Sequence, residues 1–326
     1  MSNHQSSISD KTGVDLSATA DQTPLGKIGF IGLGLMGGAI AANLAAAGYA
    51  VNAYVRRPAQ IEELRARGLI PTLHLPDLFD CQIIFSMLPN DEVVRDVFFG
   101  EADGGLAQHL GPNSIHVSMS TISTVAAAGL ASDHGRRGQV YIAAPVFGNP
   151  DAAKAKQLSI IVAGPSTHYE RCRPLIQQLG QIFVVGTDPA QANLIKLLGN
   201  MMTATSLEVL GEVTTVLRKF GQDPQQFVDI MTNTMFGSRV HKIYGSRIVA
   251  GDYAPGLAMP LALKDVRLAL AEAERAGAPM PSVSLVRDRM ITAIARGHAN
   301  LDWTALGLVA SEEAGLEAFH GPFPAC

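Results

Sequence analysis

Over the first half of the chain the hydrophobic positions gather into short unbroken runs at Lys27–Gly32, Ala50–Val55, Cys81–Leu88, Ser114–Ser118, Val140–Val146, Leu158–Ala163 and Gln181–Val185. Runs of this length that do not alternate with polar residues mark strands buried on both faces. Their separation by helical stretches predicts a parallel sheet covered on both sides. An Ala-rich helix is expected at Ala39–Ala47, closed by Gly48. The strand signals stop near Gly186. Beyond Asp188-Pro189, a natural N-cap followed by proline at the first helical position, the pattern is helical. Pro189–Phe220 has no later proline and glycine only at 199 and 211, which predicts one long helix. Further helices are expected at Pro224–Thr232, Leu261–Ala276 and Ser282–Arg296, and Gly237–Gly245 reads as a turn. The chain therefore divides into a polar leader (1–24), an α/β domain (25–188) and an all-α domain (189–326) joined by the long helix.

The length of 326 residues agrees with two domains at roughly 100–200 residues each. A net charge of −4 gives no basic footprint for a nucleic acid. No apolar run is long enough to span a membrane. Residues Met1–Pro24 are rich in Ser, Thr, Asp and Gln and show neither a secretory nor an organellar pattern, so a disordered leader and a cytoplasmic location are expected. Cys81, Cys172 and Cys326 form no CxxC pair, which fits a reducing compartment, and no metal-ligand spacing is present.

Position says more than composition. Six of the 32 glycines fall between Gly26 and Gly38. Among them Gly32-Leu33-Gly34-Leu35-Met36-Gly37 forms a G-x-G-x-x-G hexad between the first strand and the first helix. Gly32 allows a tight turn, Gly34 admits a pyrophosphate to the backbone and Gly37 lets helix and strand pack closely. This is the fingerprint of a Rossmann-type, doubly wound dinucleotide-binding domain. The second strand ends in Arg56-Arg57, where a carboxylate for ribose hydroxyls is common, and no acid follows until Glu62. Two guanidiniums there suit a 2′-phosphate, so the expected cofactor is NADP, with NADPH preferred over NADH.

In the long helix, Lys196 and Asn200 lie four residues apart on one face. On spacing alone such a lysine is most often solvated; facing the cleft, it could act as a general acid with Asn200 holding it or the substrate oxygen. The segment Lys27–Leu44 (KIGFIGLGLMGGAIAANL) resembles the N-terminal signature of the β-hydroxyacid dehydrogenase family, which includes 3-hydroxyisobutyrate dehydrogenases and glyoxylate/succinic semialdehyde reductases. Further elements of that family follow in order: Met87-Leu88-Pro89, Ser120-Thr121-Ile122-Ser123, Gly186 with Lys196 and Asn200, and Lys264-Asp265. The resemblance implies that Lys196 is the catalytic lysine, with Asn200 and Ser123 beside it. It also implies cofactor contacts from Met87, Leu88, Pro89, Thr121 and Lys264, and hydride exchange with a small aldehyde acid, 3-hydroxy acid or related carbonyl.

One element departs. The family's substrate loop commonly reads D-A-P-V-S-G-G, whereas this chain has Ala143-Ala144-Pro145-Val146-Phe147-Gly148-Asn149. Phe147, Gly148 and Asn149 are thus candidate substrate contacts, together with Ser123 and Lys196, but a phenyl ring stands where a hydroxyl is usual. A larger or less polar carbonyl or an imine fits that change as well, and Arg239 or His241 offers a compensating anion contact. Alternatives to carbonyl reduction are an imine reductase-like enzyme of the same fold and a non-catalytic NADP-binding scaffold. Apolar helix faces in the second domain, and the resemblance, imply a homodimer or homotetramer.

Overall fold

The computed structural model describes residues 27–100 and 105–316, so the expected leader lies outside the described residues. Nine strands run at Ile28–Ile31 (β1), Val51–Tyr54 (β2), Ile70–Thr72 (β3), Ile83–Ser86 (β4), Ile115–Ser118 (β5), Val140–Ala143 (β6), Val146–Phe147 (β7), Leu158–Ala163 (β8) and Gly180–Gly186 (β9). Six helices are interleaved with them: Leu35–Ala46 (α1), Ile61–Ala66 (α2), Asp91–Phe99 (α3), Thr124–Gly135 (α4), Pro150–Lys154 (α5) and Ser166–Ile176 (α6). Six more follow: Pro189–Lys219 (α7), Pro224–Thr232 (α8), Arg239–Ala250 (α9), Met259–Arg275 (α10), Pro281–Ala295 (α11) and Leu306–Glu313 (α12). The architecture is a Rossmann-like, parallel-dominated α/β unit followed by an all-helical one.

The sheet order is β3-β2-β1-β4-β5-β6-β8-β7, with β9 beside β8. The first six strands are parallel and in near register, so Ile31, Tyr54, Ser86, Ser118 and Ala143 end along one edge. The chain reverses direction across the sheet between β1 and β4. Loops leaving the carboxyl ends at such a switch point diverge and leave a crevice for a ligand. The topology therefore brings four distant loops to that edge: 32–37 after β1, 56–57 after β2, 87–89 after β4 and 119–123 after β5.

The expectation of a wholly parallel sheet needs correction. Strand β8 runs antiparallel to β6 and to β7. The run expected as one strand over Val140–Val146 breaks at Ala144-Pro145, because proline has no N–H for a ladder. The edge strand β3 went unseen, being three residues with Pro71 at the centre. Helix α1 begins at Leu35, inside the hexad rather than after it. The segment expected as a turn at Gly237–Gly245 is instead mostly helix: Ser238 caps α9 by accepting from the His241 amide, and Gly245 packs against Val228 within it. Helix α12 was not anticipated.

Helix α7 has 31 residues, which at 1.5 Å per residue is about 46 Å. The Asp188 carboxylate accepts from the Ala190 amide and starts it. Leu197, Met201, Ala204 and Leu207 from its inner face join α10, α11 and α12 in the helical core. Helix α10 ties the two units together: Lys264 Nζ donates to the Thr121 carbonyl, Thr124 Oγ1 donates to Glu272, and Arg275 donates to Thr124 Oγ1. The helical face of the cleft is therefore fixed against the loop after β5.

Candidate active site

The hexad builds the first wall. Gly32 has φ +92°, and a Cβ there would lie 2.2 Å from the Met87 carbonyl oxygen. A Cβ at Gly37 would lie 1.9 Å from the Gly32 carbonyl oxygen, so only glycine lets α1 start this close to the strand end. Gly34, by contrast, is exposed and faces open space. It is also the N-cap of α1 and offers no side chain to the first amides. Those amides lack intrahelical partners and stand at the positive end of the helix, a fit for a pyrophosphate. The residues present therefore suit a dinucleotide. Beside this cradle Ser120 Oγ accepts from the Leu88 amide at 2.8 Å and pins the Met87-Leu88-Pro89 loop. Arg56 and Arg57 are exposed beyond β2 and make no ion pair among the described residues. The first acids after them, Glu62 and Glu63, pair with Arg65 and Arg67.

The second wall comes from α7. Lys196 is only 7% exposed, which excludes the ordinary solvated lysine. Its Nζ donates to Asn200 Oδ1 at 2.7 Å, and Asn200 Nδ2 donates to Asp265 Oδ2 at 2.7 Å. Asp265 is buried and forms an ion pair with Lys264 at 3.0 Å. Asn200 cannot reverse this order, because its amide must donate to the carboxylate and its carbonyl must accept from the lysine. Burial lowers the Lys196 pKa to about 8; the Asp265 carboxylate opposes that shift and the Lys264 charge adds to it. A group poised there can both give and take a proton near neutral pH.

Phe147 lies on the third side. Lys196 Nζ is 4.5 Å from its ring centroid, within cation–π range. The ring also occupies the space where a side chain at position 199 would be, since a Cβ on Gly199 would fall 2.3 Å from Cζ. Asn149 uses its side chain to cap α5, accepting from the Ala152 amide at 2.9 Å. A cavity of about 320 Å³ is lined by Met36, Met87 and Thr121 from the hexad side, by Phe147, Gly148 and Asn149, and by Lys196 and Asn200. Eight of the residues singled out in the sequence thus meet around one space, whereas the rest of the hexad, Arg56, Arg57, Leu88, Pro89 and Lys264 do not line it. Ser123 does not line it: its amide and hydroxyl donate to Asp91, and its oxygen caps α4 by accepting from the Ala126 amide.

Several lining residues escaped sequence reasoning. Arg247, Asp302 and Trp303 face the same cavity, as do Val240, Ile243 and Tyr244 of α9. Asp265 was visible only as the neighbour of Lys264. Its contact with Asn200 spans 65 positions, so no local spacing announces it. No group of three or more metal-ligating side chains occurs among the described residues, and none of their helices is long and apolar enough to cross a membrane.

Comparison with known proteins shows the family. The model for the NAD binding domain of 6-phosphogluconate dehydrogenase matches residues 27–186. The model for the NAD-binding region of NADP-dependent 3-hydroxyisobutyrate dehydrogenase matches residues 190–309. The uncharacterized oxidoreductase YfjR of Bacillus subtilis (strain 168) is 39% identical over 284 residues, 86% of this chain and 98% of that protein. The 2-hydroxy-3-oxopropionate reductase of Escherichia coli (strain K12) is 30% identical over 281 residues, 86% of this chain and 95% of that protein. The solved structure of Psf3 in complex with NADP+ and 2-OPP is 27% identical with a TM-score of 0.79, covering 86% of this chain and 99% of that one. With a glycine cradle at the sheet's switch point and a buried lysine facing it, the chain belongs to the β-hydroxyacid dehydrogenase family, NAD(P)-dependent oxidoreductases acting on CH–OH.

Proposed function

We propose that the protein reduces a small carbonyl compound with NADPH, Lys196 acting as general acid, and that alcohol oxidation is the reverse. The observation that carries this reading is the buried Lys196–Asn200–Asp265 series opening on the cavity beside the glycine cradle. When bound, the nicotinamide supplies the hydride that arrives at the carbonyl carbon. Lys196 delivers a proton to the carbonyl oxygen as charge builds there, and takes one back in oxidation. Asn200 holds the ammonium in place through its carbonyl, and Asp265 holds Asn200 through its amide. Phe147 covers the lysine and excludes water from it.

The preference for NADPH is supported by Arg56 and Arg57, which follow β2 without an acidic partner. Turnover of an aldehyde and ketone panel with each reduced cofactor tests both halves of the proposal. A kcat/KM higher with NADPH is expected. Preference for NADH would remove the arginine assignment, and no consumption with any carbonyl, despite measured NADPH binding, would leave a binding scaffold instead.

Self-association belongs to the same proposal. Ile195, Met202, Val209 and Val216 recur every seven residues on α7 and are exposed, a spacing typical of a helix–helix seam. This stripe supports a homodimer or homotetramer. A cytoplasmic location is the remaining part of the proposal.

A further inference from the structure

The cavity's charges do not cancel. Its lining holds three cations, Lys196, Arg239 and Arg247, and two carboxylates, Asp265 and Asp302. Asp302 is neutralised by Arg247 at 3.4 Å and accepts from the Gly256 and Leu257 amides. Asp265 is paired with Lys264, which lies outside the lining. Lys196 and Arg239 remain. Among the described residues Arg239 has no carboxylate partner, and its Nη2 donates to Gln157 Oε1 at 3.2 Å. Gln157 precedes β8 and Arg239 opens α9, so this bond joins the two halves of the molecule across the cavity. A guanidinium held by one neutral acceptor keeps further N–H groups for a ligand. His241 is excluded from this role: its Nδ1 is bonded to Ser238 Oγ at 2.6 Å, and it lines a separate apolar cavity.

We propose that Arg239 is the anion anchor of the substrate pocket, receiving the acid group of an oxo acid through the N–H groups that Gln157 leaves free. This inference rests on the carbonyl-reductase reading of the site. The loop that carries Phe147 presents an apolar ring to Lys196, and Arg239 with its acceptor Gln157 lines the same cavity, so α9 supplies a charged donor for an acid group.

The test compares 5-oxopentanoate and pentanal as substrates with NADPH, for the wild type, Arg239→Gln and Arg239→Lys. For 5-oxopentanoate, Arg239→Gln should raise KM roughly 10- to 100-fold, the loss of one charge-assisted contact, with kcat changed far less. Arg239→Lys should recover part of the loss. Pentanal should be indifferent to both changes. Equal losses for pentanal and 5-oxopentanoate would overturn the proposal. Calorimetric titration of unreactive glutarate into the NADP+-loaded proteins gives a separate reading. If the wild type reduces no carbonyl, the reductase reading fails by itself. Glutarate binding weakened at least tenfold by Arg239→Gln would then still support the anchor, and equal binding by both proteins would overturn it.

Discussion

Lys196 holds its ammonium where water is scarce, and this fixes how the site should respond to pH. With a pKa of about 8, the lysine is charged below that value and neutral above it. With Lys196 as the proposed general acid, reduction needs the charged form, so its kcat/KM should fall as pH rises through about 8. Oxidation needs the neutral form and should rise through the same range. Rate profiles in both directions check this, and a reduction rate flat from pH 6 to 10 would contradict it. Stability follows by linkage. The folded pKa lies below the unfolded value of about 10.4, so the cost of burying the charge is fully present below pH 8 and is relieved between 8 and 10.4. That cost is on the order of 3 kcal/mol for a shift of this size. At this scale the sequence was partly legible. Lys196 and Asn200 were visible as one helical face, but spacing left the lysine most often solvated, and burial is a property of the packed molecule. Asp265, which orients Asn200, is brought to it only by the docking of α10 on α7.

At the scale of elements, the close approach of α7 to β7 sets the shape of the pocket. Gly199 is the point of contact: the Phe147 ring fills the space that any side chain there would need. Gly199→Ala should displace the ring from Lys196 and lower kcat/KM by about tenfold, although alanine is the better helix former by up to ~1 kcal/mol. Two residues in contact should not behave independently, so Phe147→Ala should cost less in the Gly199→Ala background than alone. Additive effects in that double-mutant cycle would show that the ring and the helix do not share one space. Elements with strong periodicity were readable from the chain, including the central strands and the whole of α7. Those that failed had local chemistry pointing elsewhere. Pro71 hid β3, Ala144-Pro145 split one expected strand into β6 and β7, and Gly237 and Gly245 made α9 look like a turn. The last of these matters most, because α9 carries Arg239 and an apolar wall of the pocket.

At the scale of the molecule, a parallel-dominated sheet brings four loops to one edge, and a helical unit closes the crevice over them. The α/β-then-α order was legible because the hydrophobic pattern changes period at Asp188-Pro189. The joining of the two units through Lys264, Glu272 and Arg275 was not, since each contact reaches back more than 140 positions. The exposed stripe on α7 adds a prediction at this scale. Met202→Glu with Val209→Glu should convert an oligomer to a monomer in sedimentation, and an unchanged molecular mass would contradict the seam.

If Lys196 is the proton donor of carbonyl reduction, removing its ammonium should cost turnover without costing the fold or the cofactor. Lys196→Met replaces the ammonium with an apolar chain of similar length, and turnover, NADPH affinity and melting temperature are measured for it beside the wild type. A loss of kcat of about 10²–10⁴ is expected, the usual contribution of a positioned general acid, with NADPH still bound and the melting temperature undiminished. A folded Lys196→Met protein that binds NADPH and turns over within threefold of the wild type would contradict it.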